Sequence, residues 1–159
     1  MTERVKLQTI SSELLAELLA LQVGEAQQHF VKPIARVLDE LSAQQTAHLI
    51  LANKQVVGFF VIDAQYPYQA ELPLQQSVLL RSFFVASQFQ GKGYGFAAGA
   101  QLGAYVADLN PSFQHLALTV NCRNNGAQAL YKKCGFVDSQ KLYNGGPAGP
   151  QHLYFLDLQ

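Results

Sequence analysis

Tryptophan is absent from the 159 residues, methionine occurs once and cysteine twice. Two thiols, Cys122 and Cys134, are too few for a disulfide framework. Their spacing fits no metal motif, so both are read as packing groups. Charge is equally sparse: eleven basic and eleven acidic side chains leave a formal net charge of zero. A balanced chain lacks the basic surface that nucleic acid or an anionic membrane would need. No apolar run reaches the roughly 20 residues that span a bilayer. Met1-Thr2-Glu3-Arg4 shows no signal-peptide pattern, so a cytoplasmic protein without membrane contact is expected. The four histidines, His29, His48, His115 and His152, stand singly, without ligand spacing or a nearby acid motif. Neither a metal site nor a catalytic triad is expected from them.

What the chain does have is apolar residues, 49% of the total, enough at this length for a proper core. With no repeat or linker, one domain over residues 4–158 is expected. Val5 to Ile10 alternates as a strand. Ser11 or Ser12 is placed to cap a helix carrying Leu14, Leu15, Leu18, Leu19 and Leu21, broken at Gly24. Pro33 suits the first turn of a second helix that buries Ile34, Val37, Leu38 and Leu41. Thr46 to Ala52 and Gln55 to Ala64 flank Asn53-Lys54 as a hairpin, with Gly58 marking a bulge or a close backbone approach. Tyr66 to Pro73 reads as a loop able to cover a pocket. After the strand Leu79 to Val85, one helix is expected to about Leu109, with Gly95, Gly99 and Gly103 on one face for close packing on the sheet. His115 to Asn121 is a strand, and Asn124 or Asn125 caps a helix through Lys133 that Gly135 stops. Phe136 to Tyr143 and His152 to Leu158 are strands around a Gly/Pro loop. The order βααβββαβαββ predicts an α/β fold on one mixed sheet.

The organising stretch is strand, glycine turn, helix: Phe83-Phe84-Val85, then Gln90-Gly91-Lys92-Gly93-Tyr94-Gly95 opening an alanine-rich helix. Glycines let backbone N–H groups approach a ligand, and a helix start adds unpaired donors, so a phosphate compound is expected there. A dinucleotide fingerprint fails, because Phe96 stands where the third glycine belongs and Pro111 where the ribose-binding acid would be. A Walker loop fails for want of Gly-Lys-Ser/Thr.

A second segment decides between phosphate compounds. Leu118-Thr-Val120, then Asn124-x-x-Ala127-x-x-Leu130-Tyr131-x-x-x-Gly135-Phe136, resembles the later motif of the GNAT acetyltransferase superfamily. Val85, Gln90, Gly91, Gly93 and Gly95 match its earlier glycine loop. Both occur in family order, and the resemblance covers essentially the whole chain. It implies a mixed sheet of about seven strands with helices on both faces, and acetyl-CoA as cosubstrate with no metal. The backbone of Phe83, Phe84 and Val85 would pair with the pantetheine arm, and the N–H groups of Gln90, Gly91, Lys92, Gly93, Tyr94 and Gly95 would hold the pyrophosphate. The Lys92 side chain would contact phosphate from the solvent side. Asn124 would bond the pantetheine region and Tyr131 would point at the thioester sulfur. The strands of Val85 and Leu118 would splay to admit the cofactor.

Transfer to an amine needs a proton removed from the amine, an oxyanion stabilised and the departing thiolate protonated. The resemblance gives the second task to a backbone N–H near Val85 and the third to Tyr131, by direct transfer. Some family members carry a glutamate on the strand before the loop. Here Val78 to Val85 has no carboxylate and no histidine, so the base is unassigned. Cys134 is read as packing, not as a nucleophile, and His152 as a group that could border the acceptor pocket. The segment Leu21 to Pro33 and the tail Leu142 to His152 resemble, more loosely, a subgroup including polyamine acetyltransferases. A cationic acceptor would need carboxylates, for which Glu25, Asp39, Glu40 and Glu71 are candidates. A small-molecule amine, a polyamine first, is therefore the expected acceptor. A protein or peptide N-terminus, an antibiotic amine, or non-catalytic acyl-CoA binding are the alternatives. The family resemblance also admits a homodimer.

Overall fold

The computed structural model describes residues 4–21, 33–146 and 149–158. Gly24 as a helix stop, Glu25 as an acceptor contact, His29, and most of the segment 21–33 lie outside the described residues. The elements run β1 (Val5–Thr9), α1 (Leu15–Leu19), α2 (Ile34–Asp39), β2 (Gln45–Ala52), β3 (Gln55–Asp63), β4 (Ser77–Val85), α3 (Tyr94–Gly99), α4 (Leu102–Leu109), β5 (His115–Asn121), α5 (Asn125–Lys133), β6 (Val137–Tyr143) and β7 (Gln151–Asp157). A seven-stranded sheet orders them β1-β2-β3-β4-β5-β7-β6. β4 and β5 pair parallel and every other neighbouring pair is antiparallel. The expected mixed α/β sheet is what forms. Among the described residues no helix is long and apolar enough to cross a membrane.

Alternation on β2 and β3 sends apolar groups to both faces, and both are covered. On one face Leu18 of α1 and Ile34 and Val37 of α2 pack on Ala47, Leu49, Phe59 and Val61. On the other, Tyr94, Ala98, Leu102, Val106 and Tyr131 from α3, α4 and α5 pack on Ile50, Phe60, Leu80 and Leu118. The β2–β3 turn has positive φ at both Asn53 (51°) and Lys54 (70°), the twist that suits a two-residue hairpin. The three glycines of α3 and α4 face inward, as read, but onto a helix as much as the sheet. Cβ atoms there would meet Leu130 and Val85 (Gly95), Cys134 Sγ (Gly99) and Leu156 (Gly103).

Several boundaries differ from the sequence expectation. The helix expected to run to Leu109 is broken at Ala100–Gln101. Gln101 N–H turns to Ala98 O (3.0 Å), while its side chain bonds Ala97 O (3.1 Å) and Val5 O of β1 (3.0 Å). A side chain that competes for the helix's own carbonyl loosens the ladder there. Ser11 occupies the cap position but makes no side-chain cap bond, and Ser12–Leu14 form a 3-10 turn before α1. In α1 only Leu18 is buried. Pro33 sits one position ahead of α2, which ends at Asp39 before reaching Leu41.

Two irregularities shape the centre of the sheet. In β3, Ile50 pairs with Gly58 and Leu51 with Val56, so Val57 is an extra residue. A Cβ at Gly58 would collide with Phe84 O. Gly58 therefore marks both a bulge and a close backbone approach. In β4, Val61 pairs with Arg81 and Phe59 with Phe84, leaving Ser82 and Phe83 opposite Phe60. Ser82 takes φ 57° to make that bulge. Pairing of β4 with β5 runs from Ser77–His115 to Leu80–Leu118 and stops. Beyond it the strands part.

Candidate active site

A cleft of about 1210 Å³ opens where β4 and β5 separate, lined by Arg81 to Val85 on one side and Leu118 to Asn121 on the other. It passes through the sheet. On the α3–α5 face it is bounded by the glycine turn and by Asn124, Ala127 and Tyr131, and on the opposite face by α2, Tyr68, Tyr143 and Arg81.

The glycine turn is shaped by backbone need, not by crowding. Gly91 (φ 80°) and Gly93 (φ 82°) are left-handed, and a Cβ at either would meet nothing within 4 Å. The N–H groups of Gly91, Lys92, Gly93, Tyr94 and Gly95 donate to no backbone partner and no side chain caps α3, among the described residues. Successive free N–H groups in such a turn form a nest for an anion. Gln90 differs: its N–H is directed at Ser87 O (3.4 Å), and its side chain donates to Val85 O at 2.9 Å. Ala86 N–H bonds Val57 O on the β3 side, so the alternating main chain of Val85 faces the gap. Lys92 is exposed and stands outside the lining, on the solvent side of the turn.

Asn124 is the N-cap of α5, its Oδ1 accepting from Ala127 N–H at 3.2 Å. Tyr131, about two turns further on, is buried with its ring against Phe83 (6.0 Å) and Phe136 (5.6 Å). Its hydroxyl has no hydrogen-bond partner among the described residues. Burial pushes this phenol well above the ordinary tyrosine pKa, with neighbouring Cys134 adding to the rise. Cys134 itself packs against Gly99, and burial raises its thiol, opposed by Lys133. A raised, half-buried thiol is a poor nucleophile.

The acceptor side differs from the sequence reading. Glu40 is the one carboxylate lining the cleft among the described residues, and it is ion-paired with Arg36 at 2.9 Å. Asp39, Glu71 and His152 do not line it. On α2 the i,i+4 pair of Arg36 and Glu40 faces the cleft and Asp39 does not. On β7, alternation brings Gln151 to the cleft and stacks His152 beside Tyr154 (6.0 Å). His48 is buried far from this region, its ring nitrogens 2.6 Å from Tyr105 Oη and 2.7 Å from Thr46 Oγ1. No three His, Cys, Asp or Glu side chains gather as a metal site among the described residues.

Sequence reasoning passed over three features of this side. Tyr68 lines the cleft from the covering loop and its ring lies 4.8 Å from Tyr143. Arg81 reaches it from β4. Asp63, 4% exposed, holds Arg81 from behind at 2.9 Å. An arginine in an otherwise apolar strand was the signal available for this pair.

The Acetyltransferase (GNAT) family model matches residues 13–136. The chain belongs to the GNAT acetyltransferase family. It is 30% identical over 154 residues to the uncharacterized N-acetyltransferase YbbJ of Bacillus subtilis (strain 168), covering 95% of this chain and 96% of that protein. Its fold is like that of a spermidine N-acetyltransferase from Vibrio cholerae solved with CoA and spermine (TM-score 0.72, 16% identity, 97% and 95% of the two chains). It is also like the ribosomal-protein-S18-alanine N-acetyltransferase of Escherichia coli (TM-score 0.67, 15% identity, 98% and 95%). These two likenesses concern the fold alone. Membership makes this GNAT protein an N-acetyltransferase that draws on acetyl-CoA.

Proposed function

We propose that this enzyme, as one acetyltransferase domain over residues 4–158, binds acetyl-CoA between β4 and β5 and acetylates a primary amine of a small molecule directly. The observation that carries the reading is a coincidence of place. The unpartnered N–H nest of Gly91 to Gly95 opens on the same gap as Tyr131, whose hydroxyl has no hydrogen-bond partner among the described residues. Those groups suit a pyrophosphate at one end and a thioester at the other. Bound acetyl-CoA supplies the activated acetyl group.

The chain's own contributions follow from its geometry. The nest donates to the pyrophosphate, Lys92 adds positive charge from solvent, and Gln90 braces the turn against β4. Of the expected edge Phe83 to Val85, the main chain of Val85 faces the gap and offers itself to the pantetheine arm while that of Phe84 is turned to β3, with Asn124 at the start of α5 across from it. A backbone N–H near Val85 stabilises the charge that develops on the carbonyl oxygen. Tyr131, kept protonated by burial, gives its Oη proton to the leaving thiolate. β4 holds no base from Val78 to Val85, so an ammonium sheds its proton through water and backbone carbonyls or the amine arrives neutral. In either case the nitrogen gives up one further proton as the amide forms, which restores the Tyr131 phenol and balances the proton delivered to the thiolate.

A polyamine is one finer reading of the acceptor. The fold likeness to the spermidine enzyme and the presence of Glu40 in the cleft support it, although Glu40 already has Arg36 as partner. A cytoplasmic setting and a homodimer belong to the same reading on the family resemblance. The test is thiol release from acetyl-CoA against polyamines, amino acids, aminoglycosides and short peptides, with calorimetric binding of acetyl-CoA beside it. Turnover on at least one small amine is expected. Tight acetyl-CoA binding with no turnover on any amine would mean an acyl-CoA-binding protein instead.

A further inference from the structure

Arg81 interrupts the apolar run of β4, and the fold gives it a fixed place. It pairs in register with Val61, stands on the same face as Leu79 and Tyr68, and lines the acceptor side of the cleft. Its Nε donates to Asp63 Oδ2 at 2.9 Å. The Asp63 carboxylate is already engaged elsewhere, accepting from Gln45 Nε2 on Oδ2 and from Gln65 N–H on Oδ1, each at 2.9 Å. It lies behind the arginine, buried and outside the lining. A ligand in the cleft therefore meets the guanidinium and not the carboxylate.

With Nε committed, the two Nη groups of Arg81 remain as donors on a side chain that Asp63 holds in one orientation. Tyr68 stands close enough to feel the arginine's charge, and its phenol, pushed up chiefly by burial, shares a hydrogen bond with the Thr119 side chain. Tyr143 closes the wall against Tyr68. The one carboxylate lining the cleft among the described residues, Glu40, is held by Arg36 on α2, and the donors of Arg81 fit a group that only accepts. An ionised carboxylate only accepts, whereas an ammonium only donates. Two Nη groups side by side also match the two oxygens of a carboxylate in a paired, planar contact.

We propose that Arg81 binds a carboxylate of the acceptor, so that the amine acetylated belongs to a short aminocarboxylate, a free amino acid or a dipeptide. This rests on the acetyl-transfer reading of the cleft. Distance sets the size. Arg81 precedes Phe83 by two residues and Val85 by four, at most roughly 7 and 13 Å along a strand, shortened here by the bulge at Ser82. An extended dipeptide spans about 7 Å, so one or two residues bridge from the arginine to the end of the cleft where Tyr131 lies. Arg81 acts on specificity and takes no part in the chemistry.

The experiment compares kcat/KM for matched pairs on the intact enzyme: amino acids against their carboxamides, dipeptides against their amides, and spermidine beside them. The free acids should exceed their amides about tenfold or more, the worth of a charge-assisted pair. The amino-acid and dipeptide arms show which source of the carboxylate is used. Arg81→Gln should raise KM for the acids by a similar factor and erase the gap between acid and amide, with the acetyl-CoA Kd measured beside it to separate a loss on the donor side. Because that change strips Asp63 of a donor, Arg81→Gln with Asp63→Asn repeats the test without an unpaired buried carboxylate. Amides or spermidine turned over as well as the acids would overturn the proposal while leaving acetyl transfer intact. So would a loss in Arg81→Gln that falls equally on every acceptor, or acetyl-CoA binding with no aminocarboxylate acetylated. Failure to bind acetyl-CoA at all would instead strike the transfer reading itself.

Discussion

Replacing Tyr131 with Phe removes one oxygen from the cleft wall and leaves the ring that packs on Phe83 and Phe136. That hydroxyl has no hydrogen-bond partner among the described residues, so no network is broken and stability should change by about 1 kcal/mol or less. Catalysis should change far more. A positioned proton donor is worth about 10²- to 10⁴-fold, which is roughly 3–5 kcal/mol of barrier at 1.36 kcal/mol per decade. Protonation of the leaving thiolate happens after acetyl-CoA is bound, so the loss should appear in kcat and not in cofactor affinity. The pH dependence adds a second mark. Burial raises this phenol above its ordinary value, so it stays protonated across neutral and mildly alkaline pH. The deficit of the variant should be constant over that range. Steady-state thiol release gives kcat, calorimetry gives the acetyl-CoA Kd, and a melting curve checks the fold. A variant with kcat within about twofold of the parent would remove Tyr131 from the mechanism, as would an affinity loss equal to the rate loss.

Two further outcomes follow from the same coordinates. Gly93→Ala forces a left-handed φ of 82° on a residue with a Cβ, a strain of about 1–2 kcal/mol, in a place where the Cβ itself meets nothing. It should lower Tm by a few degrees and weaken acetyl-CoA about tenfold or more by tilting the N–H nest, and an unchanged Kd would show that the pyrophosphate sits elsewhere. His48 is buried between β2 and α4, and burial holds its pKa down at about 4 against 6.5 in an unfolded chain. Between those values the folded state binds fewer protons than the unfolded one, so stability falls as pH drops from about 6.5 towards 4. The full loss is about 3 kcal/mol. Urea unfolding at several pH values should show this slope, and His48→Gln should flatten it.

The glycine-turn side of the cleft was legible as geometry because it is built from contiguous sequence. A strand, a glycine turn and a helix start need no distant partner to define them, and the cap at Asn124 lies three residues before the N–H it accepts from. The Asn53-Lys54 hairpin is local in the same sense. The acceptor side was not legible because it is made by pairs across strands and by parity along them. Arg81 and Asp63 are 18 residues apart and meet only through the β3–β4 register. His152 and Gln151 are adjacent in sequence, and the register of β7 alone sends one of them into the cleft. Asp39 and Glu40 are separated in the same way by the rotation of a single helical residue. Composition and spacing carry none of that information, since a one-residue slip exchanges the faces. The break at Gln101 was hidden for a related reason: its cause is a bond to β1, 96 residues away.

The parting of β4 from β5 depends on residues that make no contact of their own with a phosphate or thioester site. Ser82 in a left-handed conformation adds the residue that turns β4. Gly58, one strand away, lets Phe84 O come closer than any Cβ would allow, which holds the far end of the kinked strand against β3. Gln90 then ties the glycine turn to Val85 O on the open side. The nest and the gap are thus set by one continuous chain of contacts, backbone from β3 to β4 and the Gln90 side chain from β4 to the turn. A shift at Gly58 would move the N–H groups of Gly91 to Gly95 relative to Tyr131, whose main chain is held on α5 while its ring packs on Phe83 of the kinked strand. Donor binding and proton delivery can therefore be uncoupled by a change that touches neither, and the bulge, more than the glycine turn, sets the alignment between them.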